Sequence, residues 1–271
     1  MSSRCRNALR ALVACTLALG GPAIARDLVV CADPDQLPYS KQDESGFENR
    51  IAQVIADEIG ARLRYVWQPL RRGVVRKTLD AGACDMLAGV PVGMDGVVTT
   101  APYYRSGYVF VYRRDERSPI VSFDDARLRR AAIGVQLVGA DRAATPAALA
   151  LARRGIVANV TGFPVYGAQP AAQRMVDAVD SGRLDIALIW GPQAGYFARH
   201  ATHALAVSLG REDGEQTTEF AIAIGVRKDA VTLRDELDRA LERTHDRIGA
   251  ILVEFAVPQS GGPTRVGEAV P

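Results

Sequence analysis

Side chains able to hold a ligand are concentrated at a few short places in this sequence. Trp67-Gln68-Pro69-Leu70 runs into the pair Arg71-Arg72, and Pro102 runs into Tyr103-Tyr104-Arg105-Ser106. Guanidinium groups take carboxylates and phosphates through paired hydrogen bonds, so a small anion is the chemistry these arginines suggest. If Arg71 and Arg72 open a helix, its free N–H groups and dipole add to that pull. The competing reading is a solvated helix face. Trp67 and Trp190 offer flat apolar surfaces that either close on a ligand from two sides or pack in a core. Asp33, Tyr39, Gln136 and Gln193 complete the set of candidate binding residues, each lying beyond an apolar run. Glu48 would serve as a base only if buried; at the start of a helix it reads as a cap or rim residue.

Motifs for bond-making chemistry are missing. There is no G-x-S-x-G, H-E-x-x-H, phosphate loop, calcium loop or nucleotide fingerprint. His200 and His203 have no cysteine or carboxylate cluster beside them in sequence, which argues against a metal site. The expectation is a protein with no catalytic residues, no metal and no cofactor of its own.

The elements that must position these residues read as two α/β units. Leu28-Val29-Val30-Cys31-Ala32, ended by Asp33-Pro34, is a short apolar run of the kind found in buried strands. Phe47, Ile51, Val54, Ile55 and Ile59 recur at helical spacing before Gly60. Strands over 63–67 and 85–90 flank a helix expected to open at Pro69 and run to Leu79. That β-α-β-α-β order implies a parallel sheet with right-handed crossovers. The pattern returns with strands at 131–135, 157–160 and 184–190, helices at 146–154 and 170–179, and a helical stretch near Gln193. Tyr108–Tyr112 leads out of the first unit and Phe220–Val226 leads back, before one long helix over 233–252. One lobe inserted in another leaves a cleft at the carboxyl ends of the strands. The expected division is lobe 1 over 26–110 and 222–256, lobe 2 over 111–221, and a disordered tail over 257–271.

Residues 1–25 read as a cleaved secretory signal: Arg4, Arg6 and Arg10, an apolar stretch over 11–20, and Ala23-Ile24-Ala25 before Arg26. Leu12-Val13-Ala14-Cys15 resembles a lipidation box, but Arg10 leaves almost no apolar run ahead of it. The apolar stretch is too short to span a bilayer, so export to the periplasm without membrane insertion is expected. Removing this segment leaves 30 basic against 31 acidic residues, which gives no reason to expect nucleic acid as a partner. Cys31 and Cys84 remain in an oxidising compartment where a disulfide is allowed. If they sit at opposite ends of parallel neighbouring strands, a stagger of several residues at ~3.3 Å each exceeds the reach of a bridge.

Val30-Cys31-Ala32-Asp33-Pro34, Gly46-Phe47-Glu48-Asn49, Trp67–Gly73, Gly82-Ala83-Cys84-Asp85, Pro102–Ser106 and Trp190–Tyr196 appear in this order along the chain. Together they resemble the family 3 periplasmic solute-binding proteins. Within that family they resemble the MoxJ/XoxJ group of methylotrophs, associated with quinoprotein methanol and alcohol dehydrogenases. The resemblance implies a type II periplasmic binding protein fold, with two α/β lobes joined by two crossing strands. It also implies a partner dehydrogenase that carries pyrroloquinoline quinone (PQQ), and a role in that enzyme's maturation or activation. Two features depart from the amino-acid receptors of the family. Those place an arginine shortly before the Pro-Tyr segment to hold an α-carboxylate, where Pro91–Val97 here has none. They also place a carboxylate for the α-amine at the end of the last lobe-two strand, where this chain has Trp190. A site without both charges cannot discriminate for a zwitterion.

These readings converge on a monomeric, non-catalytic accessory factor of a quinoprotein alcohol dehydrogenase, binding that enzyme or a small-molecule ligand in the cleft. The alternative is a receptor that delivers a small anionic solute to an ABC permease, suggested by Arg71, Arg72 and Arg105. An enzyme on the same fold would need an acid/base pair that the sequence does not show.

Overall fold

The computed structural model describes residues 26–260 except 115–117, 140, 166, 168 and 212–216. The signal segment and residues 261–271 of the tail lie outside the described residues.

An apolar run that includes Val29 and Val30 forms β1 (Asp27–Ala32), which lies between two neighbouring strands of the first unit. A two-stranded turn follows, made of β2 (Asp35–Gln36) and β3 (Ser40–Lys41). Helix α1 (Phe47–Glu58) buries Phe47, Ile51 and Ile55 on one face. Its first turn is fixed by Asn49, whose side chain accepts from the Gly46 N–H at 3.1 Å. β4 (Arg62–Trp67) pairs with β1 in parallel, Cys31 opposite Val66.

The helix expected over 69–79 is only one turn, α2 (Val74–Lys77). Gly73 stands before it at φ 80°, a left-handed conformation that the preceding chain cannot enter as helix. Arg71 and Arg72 therefore lie in the loop ahead of it and do not open a helix.

β5 (Met86–Pro91) pairs in parallel with β1, and β6 (Val98–Thr99) leads into the ten-residue β7 (Tyr104–Arg113). The second unit holds β8 (Ile133–Val138), β9 (Ala143–Ala144), α3 (Pro146–Arg153), β10 (Val160–Pro164), α4 (Ala171–Asp180), β11 (Ile186–Trp190) and α5 (Gly191–Ala198). β10 begins where the sequence reading ended a strand; Val157 is exposed, and the residues that pair with β8 are 160–164. β12 (Leu205–Leu209), which sequence analysis did not find, pairs antiparallel with β7. β13 (Glu219–Val226) returns to the first unit, followed by α6 (Val231–Arg243) and α7 (His245–Glu254). The single helix expected over 233–252 is thus two, divided at Thr244, whose hydroxyl donates to the Ala240 carbonyl at 2.7 Å. A threonine bonding back in this way competes with the helical ladder and bends it.

The strand order is β10-β8-β11-β7-β13-β5-β1-β4. β7 changes partners midway: Tyr104 to Gly107 pair with β13, and Tyr108 to Tyr112 pair with β11. One continuous strand therefore belongs to both lobes, with β13 antiparallel beside it, and the lobes meet along this pair. Each lobe buries apolar side chains on both faces of its sheet. In the first, Phe47, Ile55, Leu237 and Leu252 lie on one side and Cys31, Leu79 and Leu87 on the other. In the second, Phe110, Leu128 and Leu151 oppose Val109, Met175 and Val179.

Cys31 and Cys84 are joined as a disulfide, with Cα atoms 5.6 Å apart. No strand-to-strand stagger separates the two cysteines, because Cys84 is not in a strand. It lies in the turn ahead of β5, and the Asp85 N–H donates to the Val29 carbonyl at 2.8 Å. That turn carries Cys84 back alongside β1.

Candidate functional site

A cavity of about 490 Å³ opens between the lobes. Its floor is the end of β5, Leu87 to Pro91, and its back is the crossing pair, through Tyr104, Tyr108, Phe220 and Ile222. Lobe 1 adds Tyr39, Glu48, Leu70, Val74 and Met94. Lobe 2 adds Gln136, Val138, Trp190 and Gln193.

Five of the residues singled out in the sequence, Tyr39, Tyr104, Gln136, Trp190 and Gln193, come together here. The β11 strand ends at Trp190, and the chain turns at once into α5, which places Gln193 one turn on. The indole sits edge-on to Tyr108 and Phe220, with ring centroids 5.7 and 5.8 Å away. Gln136, only 4 % exposed, accepts from the Trp190 backbone N–H at 3.0 Å and donates to the Gln193 carbonyl oxygen at 2.8 Å. It ties the end of β8 to the turn between β11 and α5. Tyr39 packs on Phe47, with ring centroids 5.5 Å apart.

The other six do not line the cavity. The Asp33 carboxylate accepts from the Leu70 N–H at 2.9 Å and the Asp35 N–H at 3.1 Å, so it organises two loops. Trp67, on the outermost strand, stacks on Tyr65 at 4.5 Å. Arg71 and Arg72 are exposed, although their neighbours Leu70 and Val74 reach the cavity. Arg105 alternates with Tyr104 on β7 and points to solvent. Tyr103 is buried behind the wall, between this cavity and a second hollow of about 330 Å³ bordered by α6 and α7.

Glu48 corrects the rim reading. It lies in the cavity wall, and what surface it keeps opens onto the cavity. The Tyr103 hydroxyl receives the Gly89 N–H at 3.0 Å and approaches Glu48 Oε1 at 3.5 Å. Burial pushes the Glu48 carboxyl up to about 8, with the Tyr103 hydroxyl partly offsetting it. Gly89, at φ +71°, makes room for this carboxyl: a Cβ there would stand 2.3 Å from Oε1. Burial also raises Tyr39, Tyr103 and Tyr104, so these phenols stay neutral. The signal for Glu48 in the sequence was its place in Gly46-Phe47-Glu48-Asn49; its burial depends on β5, distant in the chain.

Among the described residues the cavity lining contains no lysine or arginine. The arginines that suggested an anionic solute all lie outside it. No group of three or more His, Cys, Asp or Glu capable of holding a metal ion occurs among the described residues. No helix among them is long and apolar enough to cross a membrane.

A two-lobed α/β protein with crossing strands and a cleft between the lobes is a periplasmic binding protein of type II. Residues 28–250 match the model for bacterial extracellular solute-binding proteins, family 3, and the chain belongs to that family. It is 33% identical over 270 residues to the protein MoxJ of Paracoccus denitrificans, covering 90% of this chain and 94% of that one. The crystal structure of MxaJ from Methlophaga aminisulfidivorans MPT superposes with a TM-score of 0.75 at 29% identity, covering 86% of this chain and 99% of MxaJ. The periplasmic binding protein XoxJ from Methylobacterium extorquens AM1 gives a TM-score of 0.71 at 32% identity, covering 86% and 98%. The chain is thus a periplasmic protein of the MoxJ/XoxJ type.

Proposed function

We propose that this protein is a non-catalytic accessory factor of a PQQ-dependent methanol or alcohol dehydrogenase, engaging that enzyme or a ligand tied to its maturation through the interlobe cleft. The observation that carries this reading is the 33% identity to a MoxJ protein across 90% of the chain. The make-up of the cleft supports it. Neither anchor for an amino acid is present, and the only titratable side chains in the described lining are Glu48 and three tyrosines, Tyr39, Tyr104 and Tyr108. Among the described lining residues Glu48 has no second carboxyl, histidine, lysine or cysteine with which to form an acid/base pair. Lobe 1 is taken as 26–110 with 222–256 and lobe 2 as 111–221, so the partner or ligand contacts both.

The competing role, delivery of an anionic solute to an ABC permease, keeps the fold but loses the support of Arg71, Arg72 and Arg105, which lie outside the cavity. Deleting the gene separates the two. An accessory role predicts that the specific activity of the periplasmic dehydrogenase falls severalfold while solute uptake is unchanged. Unchanged dehydrogenase activity overturns it.

A further inference from the structure

The cavity carries one acidic group, five aromatic rings and, among the described residues, no cationic side chain. We propose that the cleft takes a small organic cation, a protonated or quaternary amine, with its charge toward Glu48 and its body among Tyr39, Tyr104, Tyr108 and Trp190. This rests on the reading that the cleft is the functional site.

The faces of aromatic rings are electron-rich and attract ammonium groups, most strongly where water is excluded. Trp190 is held by the edges of Tyr108 and Phe220 from the crossing strands. Tyr39 and Tyr104 stand against Phe47, the residue next to Glu48, with centroids 5.5 and 6.0 Å away. Among the described residues, the only side-chain hydrogen-bond partner of Glu48 is the Tyr103 hydroxyl, at 3.5 Å. A carboxylate in such a wall lacks a counter-charge, and a cation entering the cavity supplies one. An anion would find no cationic partner among the described lining residues and would face electron-rich rings. The described lining offers no guanidinium or ammonium to hold a ligand carboxylate, so an amine without a carboxylate fits it.

Binding of this kind is linked to protons. The titratable groups facing Glu48 are Tyr103, Tyr39, Tyr104 and Tyr65, all phenols that burial holds in the neutral form. Glu48 is thus the group that changes charge near neutrality. A bound cation favours its ionised form, so affinity rises with pH and levels off near 8.

The test is calorimetric titration of the mature chain with choline, tetramethylammonium and benzyltrimethylammonium, and with 3,3-dimethyl-1-butanol, the uncharged isostere of choline. At pH 8 we expect choline to bind at least about tenfold tighter than the isostere. Affinity should fall by up to about tenfold per pH unit below that, with proton release visible as a dependence of heat on buffer ionisation enthalpy. Glu48→Gln should collapse the preference over the isostere. Because buffer dependence is read on the unaltered protein, the test survives a variant that folds poorly. Equal binding of choline and its isostere, or no binding of any of the cations, overturns the inference. Retention of the dehydrogenase on the tagged chain in that case leaves the accessory role standing. Cation binding without such retention would instead uphold the inference and remove the role.

Discussion

Gly195 of α5 lies directly against the carbonyl of Ala256: a Cβ at residue 195 would stand 1.8 Å from that oxygen. This contact joins a helix of the second lobe to the segment that follows the last helix of the first. The segment is held at further points. Ser106 Oγ donates to the Pro258 carbonyl at 2.5 Å, the Ser260 N–H donates to the Arg105 carbonyl at 3.1 Å, and Arg199 donates to the Glu254 carbonyl. Val257 is buried with the lobe 1 core. Residues 257–260, read as the start of a tail, therefore lie against the hinge as a third link between lobes.

Gly195→Ala should destabilise the protein by about 2 kcal/mol, because helix and strap must separate to admit the methyl group. Gly249→Ala is the matched control. Gly249 is in α7 with nothing near its missing Cβ, so alanine should be neutral or stabilising by about 0.5–1 kcal/mol. Urea denaturation of both variants checks the pair; equal effects would contradict the packing argument.

The Cys31–Cys84 bridge closes a loop with a sequence separation of 53. Replacing both cysteines by serine should cost about 4 kcal/mol by loop-closure entropy. The same loop carries Leu70 and Val74 into the cavity wall. The double variant should therefore also show faster proteolysis within residues 68–84, read by mass spectrometry of the first cleavage products.

Stability should depend on pH through Glu48. Its carboxyl lies at about 8 in the folded chain against an ordinary 4.5, so between these values the folded state holds more protons than the unfolded one. The contribution is complete below about 4.5 and is lost as pH rises toward 8. The melting temperature of the ligand-free protein should decline across that window, and Glu48→Gln should flatten the decline. A melting temperature that rises from pH 5 to 8, with the variant unchanged in slope, would contradict the burial of this group.

Gln136→Ala removes the acceptor of the Trp190 N–H and the donor to Gln193. Leaving buried groups unpaired costs about 1–3 kcal/mol. The release of the β11–α5 turn should also shift tryptophan fluorescence, because Trp190 loses its fixed place between Tyr108 and Phe220.

Much of this architecture was legible in the sequence because it is written in local patterns. Apolar runs such as Leu28–Ala32 and Ile186–Trp190 announce buried strands, and residues at their ends, Trp190 and Gln136 among them, reach the cleft. Arg71 and Arg72 misled because helix-forming composition after Pro69 hides the left-handed Gly73, which confines the helix to one turn. Trp67 misled because it sits on the outermost strand of its lobe, where its ring stacks on Tyr65 outside the cavity lining. Glu48 was underrated because its environment comes from β5 and β7, and no local pattern reports a carboxyl placed over a distant glycine. The disulfide was undervalued for the same reason: the turn that folds Cys84 back beside β1 is a tertiary feature.

The proposed partnership with a quinoprotein dehydrogenase is open to direct measurement. Its most direct test is affinity purification of the tagged mature chain from periplasm, with the dehydrogenase quantified in its PQQ-free and PQQ-loaded forms. At least one form should be enriched well above an untagged control. Enrichment of neither would contradict that partnership.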